Sequence, residues 1–252
     1  MSENRRARFD VLCRESLSLS AVRDSDTIGT YNEKPLHKIL KRTVTDDEAC
    51  FEVRIGSYVA DVREEGRITE IQTGGFYPLA PKIAYFLKAT DDRITVVHPI
   101  TAELTIVRID PETGEVLRRA RSPKKGRVRD VLPELWYLRE VFPDERLTVA
   151  IPLLRAEEFR YSERRRYCKA GKYDSQFLPL AMLDWIELHT LNDVVALLPD
   201  ALRGEDGFSA EQFGKAMGLP RGRRRAVALL FLCEKGICKK EKKGRAVRYY
   251  VV

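Results

Sequence analysis

Long hydrophobic runs are missing from this chain. No stretch approaches the roughly 18 consecutive apolar residues that cross a bilayer, so no membrane partner is expected. The amino-terminal MSENRRARFDVLCRESLSLS is charged and lacks the apolar block of a secretory signal. Cysteine is scarce and unpatterned. Cys13, Cys50, Cys168, Cys233 and Cys238 are odd in number and include no CxxC pair, which speaks against a disulfide framework and a zinc site. Cys233 and Cys238 lie five apart with no second pair or histidine nearby. Buried or idle thiols in a reducing compartment, hence a cytoplasmic protein, are the expectation. Histidine is rarer still, with only His37, His98 and His189. No Cys/His or Ser/His/Asp grouping supports nucleophilic catalysis. Internal repeats and low-complexity segments are also absent.

What is present suffices for one large domain or two ordinary ones: 252 residues, 44% hydrophobic and 33% charged. The net charge is +7, and its location matters more than its size. Residues 200–252 hold 13 Lys+Arg against 6 Asp+Glu, leaving 32 of each sign in the remainder. The whole excess therefore sits at the carboxyl end, as is usual for a polyanion-binding segment.

Residues 1–28 mix charges and serines without clear periodicity and read as a mobile or loosely docked arm. A helix is expected from Tyr31, with Asn32 as N-cap, Glu33 in the first turn and Pro35 tolerated there. Leu36, Ile39 and Leu40 supply its apolar stripe. Three alternating segments separated by glycines, CFEVRIG, SYVADVRE and GRITEIQT, predict strands. A helix around Pro81–Leu87 and strands ITVVHPI and ELTIVRI follow, then a basic stretch, RRARSPKKGRVRD. DVLPELWYLREVF reads as a helix and LTVAIPLL as a strand; RYSERRRYCKAGKYD reads as an exposed basic loop or hairpin. The pattern changes near 185–190, so one domain is expected over 29–187 and a second over 188–252.

The sharpest signal is the pair of strands around Glu65-Gly66. If these two residues form the turn, paired positions place Glu64 against Arg67, Arg63 against Ile68, Asp61 against Glu70 and Val59 against Gln72. Directly opposed side chains hold their Cβ atoms about 4.5–5.5 Å apart, and like charges so placed repel. A divalent cation held by oxygen ligands would turn that repulsion into attraction. Period-2 alternation adds Gln72 to the same face as Glu70. A solvent-exposed face, with water and neighbouring Lys or Arg screening both carboxylates, accounts for the same pattern, and a bulge would shift the register.

Asp61, then Glu70-Ile71-Gln72 on the adjacent strand, preceded by Glu33 on a first helix, resembles the PD-(D/E)xK nuclease superfamily. The order YNEKPLHKILKR, VADV, ITEIQT, PKIAYFL, ITVVHPI matches that family's core over about residues 31–100. The resemblance implies an α/β fold with a restriction-endonuclease-like αβββαβ core and a mixed sheet. It also implies that Asp61 and Glu70 bind Mg2+ or Mn2+. Glu33 would be a further ligand or would position the attacking water, and the Ile71 carbonyl would reach the metal. Two departures stand out. Ala60, not proline, precedes Asp61, and Gln72 occupies the position where the family most often has lysine. Glutamine orients water but supplies no charge. Lys82 on the next helix either replaces the missing lysine or is a surface residue. His37 shares a helix face with Glu33, either to meet a ligand there or to pack beside Leu36 and Leu40. His98 is expected in the core.

Beyond residue 188, LNDVVALLPDAL, SAEQFGKAMGL and RGRRRAVALLFLCEKG predict three short helices, and ICKKEKKGRAVRYYVV a hairpin. That is the order of a winged helix-turn-helix, whose second paired helix enters the major groove by its amino-terminal residues. Here that helix opens with Arg221, Arg223, Arg224 and Arg225, and buries Val227, Leu230, Phe231 and Leu232. Ser209 caps the preceding helix. Lys239, Lys240, Lys242, Lys243 and Arg245 would lie on or near the wing, within reach of phosphates. The combined expectation is a divalent-metal-dependent DNA nuclease targeted by a winged helix. Two rivals remain: a DNA-binding protein with a silent nuclease fold, and a transcription regulator whose first domain senses a ligand. The resemblance allows a homodimer, for which the sequence holds no interface signal.

Overall fold

The computed structural model describes residues 2–22, 35–110, 112–161, 175–244 and 246–252, and in them the chain is α/β with mixed β-sheet. It divides into two units. The first comprises Met1–Phe51, Pro99–Arg127 and Pro152–Trp185; the second comprises Glu52–His98, Val128–Ile151 and Ile186–Val252. Among the described residues no helix is long and apolar enough to cross a membrane.

The first unit begins with a helix, α1 (Ser2–Val22), where an arm is expected. The reason is a narrow apolar stripe. Phe9 and Cys13, four residues apart, are fully buried, while the rest of the helix is largely polar. Local pattern therefore says little and packing decides. α1 lies on α2 (Pro35–Val44), where the Arg8 Nε donates to the Arg42 carbonyl at 2.6 Å. It also grips β8 (Ser175–Leu188), where the Met182 N–H donates to Asp10 Oδ1 at 2.8 Å and Arg5 lies over the Trp185 ring. Ile39 and Leu40 of α2 are buried as expected, whereas its predicted start at 31–34, with Asn32 and Glu33, lies outside the described residues. In the same unit β5 (Ile100–Ile109) pairs antiparallel with β6 (Val116–Arg121) and parallel with the later part of β7 (Leu147–Tyr161). Most of the expected basic loop, 162–174, lies outside the described residues.

The second unit is built around β1 (Phe51–Ile55), β2 (Tyr58–Glu64), β3 (Arg67–Ile71), β4 (Arg93–Val97) and the start of β7. β2 and β3 form an antiparallel hairpin; β3, β4 and β7 run parallel. Parallel neighbours need a crossover. Between β3 and β4 it is α3 (Ala80–Ala89), which buries Ile83 and Phe86 and carries Pro81 in its first turn, where no N–H is needed. Arg146 closes the far end by donating to the carbonyls of Leu87 (2.6 Å) and Thr90 (2.7 Å), satisfying acceptors a helix end leaves open. The helix expected over 130–142 is shorter. It consists of a single α turn, α4 (Leu132–Leu135), between 3-10 turns Val128–Val131 and Trp136–Leu138. Pro133, lacking an N–H, confines the α segment's start.

The unit ends with α5 (Leu191–Ala196), α6 (Ala210–Met217), α7 (Arg223–Glu234) and an antiparallel hairpin of β9 (Cys238–Lys243) and β10 (Ala246–Val251). Ser209 caps α6 in a capping box with Gln212, and Gly218 ends that helix at φ 71°. Phe208 bonds to Tyr249 in both directions, attaching the α6 entry to β10. The buried face of α7 is Ala228, Leu229, Phe231 and Leu232; Leu230, expected inside, is 50% exposed. The apolar run VALLFL offers two neighbouring stripes, and contact with α4 selects this one.

Candidate active site

The β2–β3 hairpin builds the site. Glu65 and Gly66 close it, and Gly66 has φ 66°, a backbone region glycine enters without steric cost. Glu64 pairs with Arg67, Arg63 with Ile68 and Val62 with Thr69, the register read from the sequence. One step further, side chains take over from the backbone ladder. The Asp61 N–H donates to Glu70 Oε1 at 3.1 Å, and the Ile71 N–H donates to Asp61 Oδ2 at 2.7 Å. Each carboxylate thus accepts an N–H from the strand opposite. Such charge-assisted bonds offset part of the repulsion between the two groups.

Glu70 is 2% exposed and Asp61 half-buried. Burial first, then the Asp61 charge, pushes the Glu70 carboxyl up from 4.5 to about 7, while Lys82 pulls it down. Lys82 is the residue whose location the sequence leaves open. It projects from α3 and its Nζ forms a hydrogen-bonded ion pair with Glu70 Oε2.

Gln72 turns elsewhere. Its N–H extends the parallel pairing to the Val97 carbonyl at 2.9 Å, and its Nε2 donates to the Gly75 carbonyl at 2.7 Å. The Gln72 carbonyl lies 2.7 Å from His98 Nδ1. His98 is half-buried and stands edge-on to Phe76, and burial lowers its pKa from 6.5. A neutral ring donating through Nδ1–H suits that bond.

Glu134, which no local pattern marks, organises the turn after β3. It is 8% exposed; its Oε2 accepts the Phe76 N–H at 3.1 Å and its Oε1 accepts from Arg224 at 3.1 Å. Arg224 donates also to the Asp130 carbonyl at 3.0 Å. The only sequence hint is a carboxylate within a segment that otherwise buries Val131, Leu132, Leu135 and Leu138. The four arginines opening the basic helix therefore separate. Arg221 and Arg223 are exposed, Arg225 is half-buried against Gly214, and Arg224 is engaged with the fold. Lys239, Lys240 and Lys242 are exposed on β9. Lys243 ends that strand without a described side chain, and Arg245 lies outside the described residues, as does Glu33.

Asp61, Glu70, Ile71 and Lys82 are thus brought together by β2, β3 and α3, while the Gln72 side chain is held by the Gly75 carbonyl. Among the described residues no group of three or more His, Cys, Asp or Glu gathers as a metal cluster.

Residues 34–188 match a family described as a domain of unknown function, DUF8091, a match over more than half of the chain. The chain is also 29% identical over 156 residues to an uncharacterized protein of Treponema pallidum (strain Nichols), covering 60% of this chain and 61% of that protein. It therefore spans about three fifths of that relative's length. No solved structure matches.

Proposed function

The chain belongs to the DUF8091 family, and from its site we propose a divalent-metal-dependent nuclease that hydrolyses DNA phosphodiester bonds. The observation that carries this reading is the Lys82–Glu70 pair beside Asp61. A carboxylate pair with a lysine is the combination that the PD-(D/E)xK resemblance requires. Lys82 restores from α3 the charge that Gln72 cannot supply.

The donor set fits Mg2+ or Mn2+ in kind. Asp61, Glu70 and the Ile71 carbonyl offer hard oxygen ligands, and burial, then the Asp61 charge, raises the Glu70 carboxyl to about 7. When bound, the cation would lower the pKa of a water and stabilise the added charge of phosphodiester hydrolysis. The chain's own groups divide the remaining work. Asp61 and Glu70 would hold the cation, and the Lys82 ammonium would offset charge gained by a phosphate oxygen. Glu33 remains a proposed further ligand.

Three helices followed by a hairpin support a winged helix-turn-helix reading of 188–252, with α7 as the groove-binding helix. Arg221, Arg223, Lys239, Lys240 and Lys242 are the exposed cations for phosphate contact. Arg224, also exposed, is engaged by Glu134 and the Asp130 carbonyl.

One observation favours a second reading, DNA binding without turnover. Both Glu70 oxygens already have protein partners, the Asp61 N–H and Lys82. The test is cleavage of plasmid and single-stranded DNA with Mg2+ or Mn2+, comparing wild type, Asp61→Ala and Lys82→Met. Cleavage that EDTA and either substitution abolish is the expected result. No cleavage by wild type, beside salt-sensitive binding unaffected by Asp61→Ala, would establish the non-catalytic reading.

A further inference from the structure

A second basic feature lies in the first unit, on β5, β6 and β7. Arg108 of β5 is paired on one side with Arg118 of β6 and on the other with Arg160 of β7. Side chains at paired positions share one face of a sheet. Three arginines therefore form a row across three adjacent strands, spanning about 10 Å at the usual strand spacing.

Like charges opposed in this way repel, and among the described residues a carboxylate bonds the Arg160 end of the row. Arg160 Nη2 bonds Glu158 at 2.8 Å. Arg108 and Arg118 are exposed, and among the described residues neither has a hydrogen bond or ion pair. Asp110, two residues beyond Arg108, spends its carboxylate on the N–H groups of Glu112 (2.8 Å) and Thr113 (3.1 Å). The neighbouring row on the same face, Ala120, Ile106 and Glu158, holds no further cation.

We infer that the Arg118–Arg108–Arg160 row binds the phosphodiester backbone of a nucleic acid strand. All three residues are arginine, whose planar fork matches phosphate oxygens and is more weakly hydrated than a lysine ammonium. A straight row of closely spaced cations suits a ligand that carries its charges in a line. Exposed Lys124, Lys125 and Arg127, just after β6, add charge of the same sign. Phosphate contacts of this kind contribute affinity and not sequence choice. It does not depend on the hydrolysis proposed above.

The test is fluorescence anisotropy of the full chain with labelled single-stranded and duplex oligonucleotides over a series of KCl concentrations. EDTA is present throughout, so cleavage plays no part. For Arg108→Ser with Arg118→Ser, the plot of log affinity against log salt should become shallower. The change should be about 1.4 for single strands or about 1.8 for duplex, with affinity at low salt falling at least about tenfold. The form showing the larger loss is the form the row engages. Arg108→Lys with Arg118→Lys should retain most of the slope and checks that the loss is one of charge. Thermal unfolding of the serine variant should match or exceed wild type, because its substitutions relieve repulsion, and that of the lysine variant should match wild type. A slope equal to wild type in the folded serine variant overturns the proposal. Equal binding of a charge-matched polyglutamate peptide, lost in the same variant, also overturns it, in favour of an acidic protein surface.

Discussion

Lys82 and Glu70, twelve residues apart and on different elements, form an ion pair in which the carboxylate is 2% and the lysine side chain 18% exposed. The pair ties α3 to the hairpin at the position where two carboxylates meet. Its consequences can be separated from the question of turnover.

Lys82→Met removes the cation that pulls the Glu70 carboxyl down. The glutamate then takes a proton more readily, which limits the loss at acid pH. Urea unfolding should show a cost of about 2–3 kcal/mol at pH 8, where a buried charge has lost its partner, and much less at pH 5. Equal losses at both values would disprove the assignment of charge.

The wild-type protein carries a pH signature of its own. With its folded pKa raised from 4.5 to about 7, Glu70 binds more protons folded than unfolded between those values. Its contribution to stability is therefore fully present below about pH 4.5 and is lost as pH rises to about 7. The full effect is on the order of 3 kcal/mol. Glu70→Gln should flatten this part of the stability profile, as measured by denaturant midpoints across pH 4.5–8. If the cation proposal holds, Mg2+ or Mn2+ at pH 8 should raise the wild-type melting temperature and leave the variant unchanged.

Glu134 and Arg224 predict a split between stability and binding. Glu134→Ala leaves the Phe76 N–H without its acceptor and Arg224 with the Asp130 carbonyl alone, and should cost about 1–3 kcal/mol in urea unfolding. Arg221→Ser and Arg223→Ser should stay within about 0.5 kcal/mol of wild type while weakening DNA binding. A stable Glu134→Ala protein would remove the role given to that residue.

The orientation of α7 is open to a simple substitution test. Leu230 is 50% exposed and Phe231 is fully buried. Leu230→Gln should change stability by less than about 0.5 kcal/mol, whereas Phe231→Ala should cost about 3–5 kcal/mol. A large cost for Leu230→Gln as well as for Phe231→Ala would restore the face expected from the sequence.

The sequence by itself determined features that depend on neighbours along the chain. The Glu65-Gly66 turn and the alternation on either side set the hairpin register, and with it the meeting of Asp61 and Glu70. Ser209 and Gly218 marked the ends of α6 in the same way, through bonds spanning a few residues. Tertiary structure decided what depends on distant partners. Gln72 and Lys82 are both near Glu70 in sequence, yet packing of α3 brought the lysine to the carboxylate while the Gly75 carbonyl held the glutamine. Helix α1, set aside as an arm, formed because Phe9 and Cys13 found cover that no local periodicity announces. Arg224, one of four similar arginines, is exposed yet tied to the fold because Glu134, ninety residues earlier, accepts its hydrogen bond. Turns, caps and strand pairs are energetically local. The partner of a long charged side chain is chosen only when the chain has folded around it.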